Sequence, residues 1–141
     1  MSVDSQWETQ QAVLTTLRGA SGLTALLASG LSSIVDHAAA DTLYPYVLIG
    51  EATARPGEAD SKDSDAFEQT LTIHTWSQYR GLKEVKQIMA QIVSALDQAS
   101  LTVTGHNLIQ AQFEFSETFL DPDGLTRHGV QRFRVTTQVT A

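Results

Sequence analysis

Residues 67–96 read FEQTLTIHTWSQYRGLKEVKQIMAQIVSAL, and the period of the side chains changes partway along. Phe67, Gln69, Leu71, Ile73 and Thr75 fall on one side, with Glu68, Thr70, Thr72 and His74 on the other. That is the alternation of a half-buried strand. Further on, Val85, Ile88, Met89, Ile92 and Leu96 recur at three- and four-residue intervals, which places all five on one stripe of a helix. Lys83, Glu84, Lys86, Gln87 and Gln91 take the opposite side, and Ser77 to Gly81 carries the reversal between the two elements. A strand that feeds such a helix buries the helix stripe against its own apolar face. Five side chains, at roughly 1.5–3 kcal/mol each when fully buried, make this the largest local contribution to the core.

Upstream, residues 5–18 read as a helix opened by Ser5-Gln6-Trp7-Glu8, the Ser-x-x-Glu form of a capping box. Trp7, Val13, Leu14 and Leu17 form its thin apolar face. Gly19 to Gly22 breaks it, and Leu23 to Leu27 predicts a second short helix stopped by Gly30. Leu31 to Val35 reads as a turn or strand-like piece, and Asp36 to Asp41 as loop. Tyr44-Pro45-Tyr46 opens a strand from Tyr46 to Ala54, with proline at the entry, where a missing N–H matters least. Thr53 to Ala66, TARPGEADSKDSDA, has no period and is rich in Gly, Pro, Ser and acid. It is expected to be a mobile hairpin loop, either functional or disordered.

Downstream, Leu101 to Val103 predicts a short strand or extended lead-in. Ile109, Ala111, Phe113 and Phe115 then alternate with Gln110, Gln112, Glu114 and Ser116. Asp121-Pro122-Asp123-Gly124 signals a turn. In Val130 to Val139, Phe133, Val135, Thr137 and Val139 share one face, and Arg132, Arg134 and Thr136 the other. Two hairpins around one helix predict a single α+β domain over residues 1–141. Its four-stranded, largely antiparallel sheet is packed on one face by the central helix and the N-terminal helices.

The chain has 141 residues, 42% hydrophobic and 18% charged, with no cysteine, enough for a core without disulfide staples. The N-terminus lacks the pattern of a signal peptide, and no run approaches the ~20 apolar residues of a membrane span. These features predict a soluble cytoplasmic protein. Nine Lys and Arg against 16 Asp and Glu give a net charge of −7, which argues against a dedicated nucleic-acid binder. A negative wall does suit a passage through which DNA must slide without being gripped.

No catalytic, cofactor or metal signature is present. His37, His74, His106 and His128 form no HExxH or other close pair. Asp36-His37 reads as hydrogen-bonded loop, and Asp121-x-Asp123-Gly124 as turn chemistry, because the later ligands of a calcium loop are missing. Trp76, Tyr44 and Tyr46 are core or interface aromatics; Trp76 has the opposite parity from Leu71 and Ile73, so it faces away from the helix toward a partner. Arg127, Arg132 and Arg134 form a local basic cluster, read either as a solvated face or as a charge-complementary subunit contact.

Several segments together carry a family resemblance. They are Ile34-Val35-Asp36-His37, Tyr44-Pro45-Tyr46-Val47-Leu48-Ile49-Gly50-Glu51, Leu71-Thr72-Ile73-His74-Thr75-Trp76-Ser77 with Gly81 opening a helix, and the run from Asp121 through Gly124 and His128 to Val135. In order and spacing, over roughly residues 30–139, the chain resembles the tail-completion, or tail-terminator, family of long-tailed phages, prophages and gene transfer agents. The resemblance implies a non-enzymatic structural protein of the virion tail, at the head–tail interface, assembled in the bacterial cytoplasm. It further implies a six-fold ring of identical subunits that ends tail-tube polymerisation, contacts the tube protein and the head-side connector or stopper, and lets DNA pass through its lumen. Pro45, Gly50, Gly124 and Trp76 would then be structural. A head-to-tail ring needs two complementary patches per subunit; candidates are the acidic stretch with Glu58, Asp60, Asp63 and Asp65, the arginines Arg127, Arg132 and Arg134, and Trp76. Two alternatives are another neck component, adaptor or stopper, and a small enzyme or ligand-binding domain built on His74, His106 or His128.

Overall fold

The structure is a computed structural model that describes residues 2–57 and 65–140. Its elements are α1 (Gln6–Arg18), α2 (Ser21–Thr24), a 3-10 turn (Gly30–Ser33), β1 (Ile34–Val35), β2 (Tyr46–Pro56), β3 (Ala66–Ser77), α3 (Lys83–Leu96), β4 (His106–Leu120) and β5 (Arg127–Val139). The strands form one five-stranded sheet in the order β1-β2-β3-β5-β4. Both expected hairpins are present, β2–β3 and β4–β5, and they join through the antiparallel pair β3–β5. The expectation of four strands falls short by one, because Ile34 and Val35 add a parallel edge against Val47 and Leu48.

The alternation in β3 does what its period requires. Phe67, Gln69, Leu71, Ile73, Thr75 and Ser77 are all buried, and Val85, Ile88, Met89, Ile92 and Leu96 of α3 are buried with them. Phe133 and Val135 bring β5 into the same core. The helix comes close to the sheet at Gly129, where a Cβ would lie 2.5 Å from Met89 Sδ. Ser77 Oγ donates to Glu84 Oε1 at 2.8 Å, tying the end of β3 to the first turn of α3, where a carboxylate is favoured by the helix dipole.

Three local expectations fail for identifiable reasons. The capping box does not form. Asp4 Oδ1 accepts from Gln6 N at 2.9 Å, while Ser5 is drawn inward, 2.7 Å from the Thr137 hydroxyl and within reach of Gln69 Nε2, which also donates to Thr9. This buried polar cluster docks α1 on the sheet and sets its rotation, so Ala12, Val13 and Leu17 are buried while Trp7 is 59% exposed. Next, β4 does not alternate evenly. Irregularities at Leu108/Gln110 and Phe113/Phe115 reset its register, leaving Ala111 buried but Ile109 and Phe115 exposed. Bulges of this kind re-aim side chains along an edge strand. The turn after α3 covers part of that edge, as Gln98 N donates to Ala111 O at 2.8 Å and Asp97 Oδ1 accepts from Phe113 N at 2.9 Å.

Finally, the segment expected as loop begins as strand: Thr53 to Pro56 pairs with Phe67 to Thr70. This arm of β2 is exposed, so its polar, Pro-containing sequence carries no core signal, yet main-chain pairing needs none. Pro56 is tolerated because β1 reaches only Val47 and Leu48, and among the described residues the outer edge of β2 has no neighbour farther along. Residues 58–64, where the rest of that expectation falls, lie outside the described residues. The other differences are at element ends: α2 is a single turn beginning at Ser21, and Leu101 and Val103 are a buried lead-in without strand pairing.

Ile92 is fully buried beneath α3. Replacing Ile92 with Asp would put an unpaired carboxylate there and is expected to cost several kcal/mol, of the order of the whole stability of a small domain. The variant should lack a cooperative thermal transition by circular dichroism. A soluble, cooperatively melting Ile92→Asp protein would contradict this orientation of the helix.

Candidate functional site

The helices cover one face of the sheet. On the other, residues of even parity in β3 and β5 stand together, and the strand order brings four strands into register there. Tyr46 of β2 lies opposite Trp76 of β3, Trp76 opposite His128 of β5, and His128 opposite Phe119 of β4. Their rings make a continuous row. Tyr46 and Trp76 stack at 5.1 Å between centroids, Trp76 and His128 at 4.5 Å, and Phe119 meets His128 at 4.8 Å and 59°. Tyr44 extends the row by a tilted contact with Tyr46 at 5.3 Å. Because the inner rings cover one another's faces, the row presents edges rather than free π-faces, unlike the platforms that stack single-stranded bases.

A polar chain crosses the sheet beside this row. Glu51 Oε1 is 2.7 Å from His74 Nε2, His74 Nδ1 is 2.8 Å from His128 Nε2, and His128 Nδ1 is 3.5 Å from Asp121 Oδ1. Both imidazoles are only 15% exposed. The hydrogen bond from His74 holds the Glu51 carboxyl below its ordinary value. Burial, and after it the neighbouring His74, pushes His128 down, with Asp121 and Glu51 opposing. Burial likewise raises the Tyr46 phenol. Gly50 is what lets the His74 ring lie down, since a Cβ there would meet its Cδ2 at 2.7 Å.

The expected site residues fare unevenly. Trp76 does face away from α3, but its ring is held between Tyr46 and His128. Arg132 and Arg134 share the open face. The Arg132 guanidinium sits 4.9 Å from the centre of the Phe115 ring, and Arg134 pairs with Glu114 at 3.0 Å and Gln112 at 3.1 Å. Arg127 does not join them: it has the other parity, lies at the start of β5, and donates to the Leu125 carbonyl of its own turn at 2.7 Å. Asp65 is exposed, whereas Glu58, Asp60 and Asp63 lie outside the described residues.

The remaining histidines do not converge with the pair. The ring nitrogens of His106 are each 2.9 Å from a backbone oxygen, of Thr104 and Ser2, which ties down the N-terminal segment. His37 is exposed, and its neighbour Asp36 accepts from Gln10 instead. Asp123 accepts from Leu125 N, Thr126 N and the Thr126 hydroxyl at 2.7–2.9 Å, as the turn reading required. No cluster of three or more metal-ligating side chains exists among the described residues. A groove of about 540 Å³ lies on the helix side between α3 and β4.

Sequence reasoning missed the His74–His128 contact and the place of Phe119 in the row. Parity alone put His74 and Trp76 on one face of β3. Their partners come from β5 and β4, some fifty residues away, and depend on strand order and register.

One end of the sheet carries a second surface. Leu43 and Tyr44 before β2, Tyr79 and Leu82 after β3, and Leu120 and Leu125 about the β4–β5 turn are all exposed. The pairing Ser77–Arg127–Leu120 puts these segments at the same end of the sheet, and Gln78 bridges two of them by donating to Thr126 at 3.3 Å. Half a dozen large apolar side chains in one rim are more than scattered surface residues.

The family profile described as "Tail completion protein gp17" matches residues 11–138. The tail completion protein gp17 of Bacillus phage SPP1 is 26% identical over 106 residues, which cover 75% of this chain and 77% of that protein. Two solved structures share the fold. A chain in the virion of a native gene transfer agent particle superposes with a TM-score of 0.80 at 22% identity, covering 92% of this chain and 93% of that one. The structure of bacteriophage SPP1 gp17 gives 0.63 at 24% identity, covering 94% and 89%.

The lowered pKa values of His128 and Glu51 have the same consequence for stability. Each contribution is present in full above the unfolded pKa, about 6.5 for histidine and 4.3 for glutamate, and is lost as the pH falls from there through the folded value. The melting temperature should therefore drop between pH 7.5 and 5 through His128, and drop further below that through Glu51. His128→Asn should flatten the first interval in calorimetry; an unchanged slope would mean that His128 does not resist protonation.

Proposed function

The chain belongs to the tail completion protein gp17 family, and from that premise we propose that it forms a closed ring at the head-proximal end of a phage-like tail tube. It is a structural protein of a virion or gene-transfer-agent tail, not an enzyme. In the proposed role, identical subunits, six by the family resemblance, close head to tail, stop tube polymerisation and offer a new surface to the head-side connector or stopper. DNA passes through the lumen without being bound. The observation that carries this reading is the family match across residues 11–138, nearly the whole of the folded chain.

The geometry supports it in three ways. The exposed apolar rim at one end of the sheet suits an axial contact with the tube protein or the connector, since such patches mark protein–protein sites. The open face carries Arg132, which has an aromatic neighbour but no carboxylate in hydrogen-bond range among the described residues, and so retains charge for a neighbouring subunit. The far end of the β2–β3 hairpin leads into the acidic stretch from Glu58 to Asp65, the complementary patch in this proposal. Two different patches on one subunit are what a heterologous, cyclic contact requires. The net charge of −7 suits a lumen that repels phosphate.

Light scattering over a concentration series, at low and high salt, should find a discrete closed oligomer, or else a monomer that forms a ring only on isolated tail tubes. A chain that neither self-associates nor binds tubes would overturn the ring reading. Binding confined to head-side proteins would make it an adaptor or stopper instead. Reversing both Arg132 and Arg134 to Glu is expected to weaken assembly at least ~tenfold while the monomer stays folded, as measured by sedimentation; unchanged assembly would remove these arginines from the contact.

A further inference from the structure

The chain Glu51–His74–His128–Asp121 has a hydrogen count that limits its state of charge. Its three contacts, at 2.7, 2.8 and 3.5 Å, use both nitrogens of both rings, and each end faces a carboxylate that only accepts. The two shorter contacts are hydrogen bonds and hold one hydrogen each, while the contact with Asp121 is at ion-pair distance. Two neutral imidazoles bring two, which leaves one of the three contacts without a proton. One added proton supplies the third. Two added protons bring four and set N–H against N–H across 2.8 Å, where no acceptor remains.

We infer that the His74–His128 pair is a one-proton site: the rings hold at most a single added proton in common, and a second proton, taken up only in stronger acid, breaks the β3–β5 ring contact and opens the aromatic row. The surroundings favour the first proton and resist the second. Glu51 from β2 and Asp121 from the end of β4 are the anions in contact with the pair. Glu117 of β4 stands opposite Val130, next along β5 on the same face, and Arg132 is the cation within influence of Glu51. Tyr44, Tyr46 and Phe119 are uncharged neighbours in the row. Trp76 lies nearly parallel to both imidazoles, 15° from His74 and 19° from His128, so its π-face favours one cation in the pair. Burial to 15% exposure and mutual repulsion weigh against two. The pair therefore works as an acid-sensitive catch across β2, β3, β5 and the end of β4.

The test uses the whole chain carrying Trp7→Phe, a change at an exposed position that leaves Trp76 the only tryptophan. Imidazole nitrogen shifts followed by NMR from pH 9 to 4 should show His74 and His128 moving together in one step worth one proton. A second step should follow at least ~1 pH unit lower, accompanied by a change in Trp76 emission. Glu51→Gln, at a well-exposed side chain, should shift the first step to lower pH, and His128→Asn should restore a single, ordinary titration to His74. Independent titration of the two rings near ~6.5, or a His74 curve unmoved by His128→Asn, would overturn the inference.

Discussion

The packing of α3 across β3 and β5 is the contact on which the rest of this structure depends. A five-stranded sheet with helices on one side only has a single buried interface, and that interface must be filled by side chains of one parity. Leu71 and Ile73 of β3, Phe133 and Val135 of β5, and the stripe of α3 meet that demand, with the buried Gln131 donating to the Met89 carbonyl of α3 at 3.0 Å. Gly129 lets Met89 settle close to the sheet. The N-terminal helix then joins through a different kind of contact, the buried hydroxyl and amide cluster of Ser5, Thr9, Gln69 and Thr137. Such a cluster specifies position more than it adds stability, because each buried polar group must find its partner at one place.

Once one face is committed to the helices, the other has to hold together by itself. Small polar residues would leave the backbone wet. Instead, rings stand on the central strands, and Thr72 and Val130 on the same face are buried. The same arrangement brings two histidines out of water, with a carboxylate at each end. The face left uncovered by the helices is therefore the one that carries both the aromatic row and the histidine pair.

The electrostatics are more local than the net charge suggests. Arg134 is paired with Glu114, and Arg127 is tied into its turn. Arg132 alone of the three is stacked on an aromatic ring without an anion in contact among the described residues. A cluster of arginines read from a run of sequence therefore resolves into separate roles once parity and strand ends are known.

The amino-acid sequence by itself determined the two hairpins, the central amphipathic helix and its buried stripe, the parity of β3 and β5, the tight turn at Asp121–Gly124 and the family. All of these rest on periodicity or on contacts within a few residues of each other. Only the tertiary structure decided the strand order β1-β2-β3-β5-β4, the parallel edge at Ile34–Val35, the bulges that turn Ile109 and Phe115 outward, the inward pull on Ser5, and the meeting of His74 with His128. These features depend on register between strands distant in the chain. A shift of one residue there would exchange the faces of a strand without altering any local pattern.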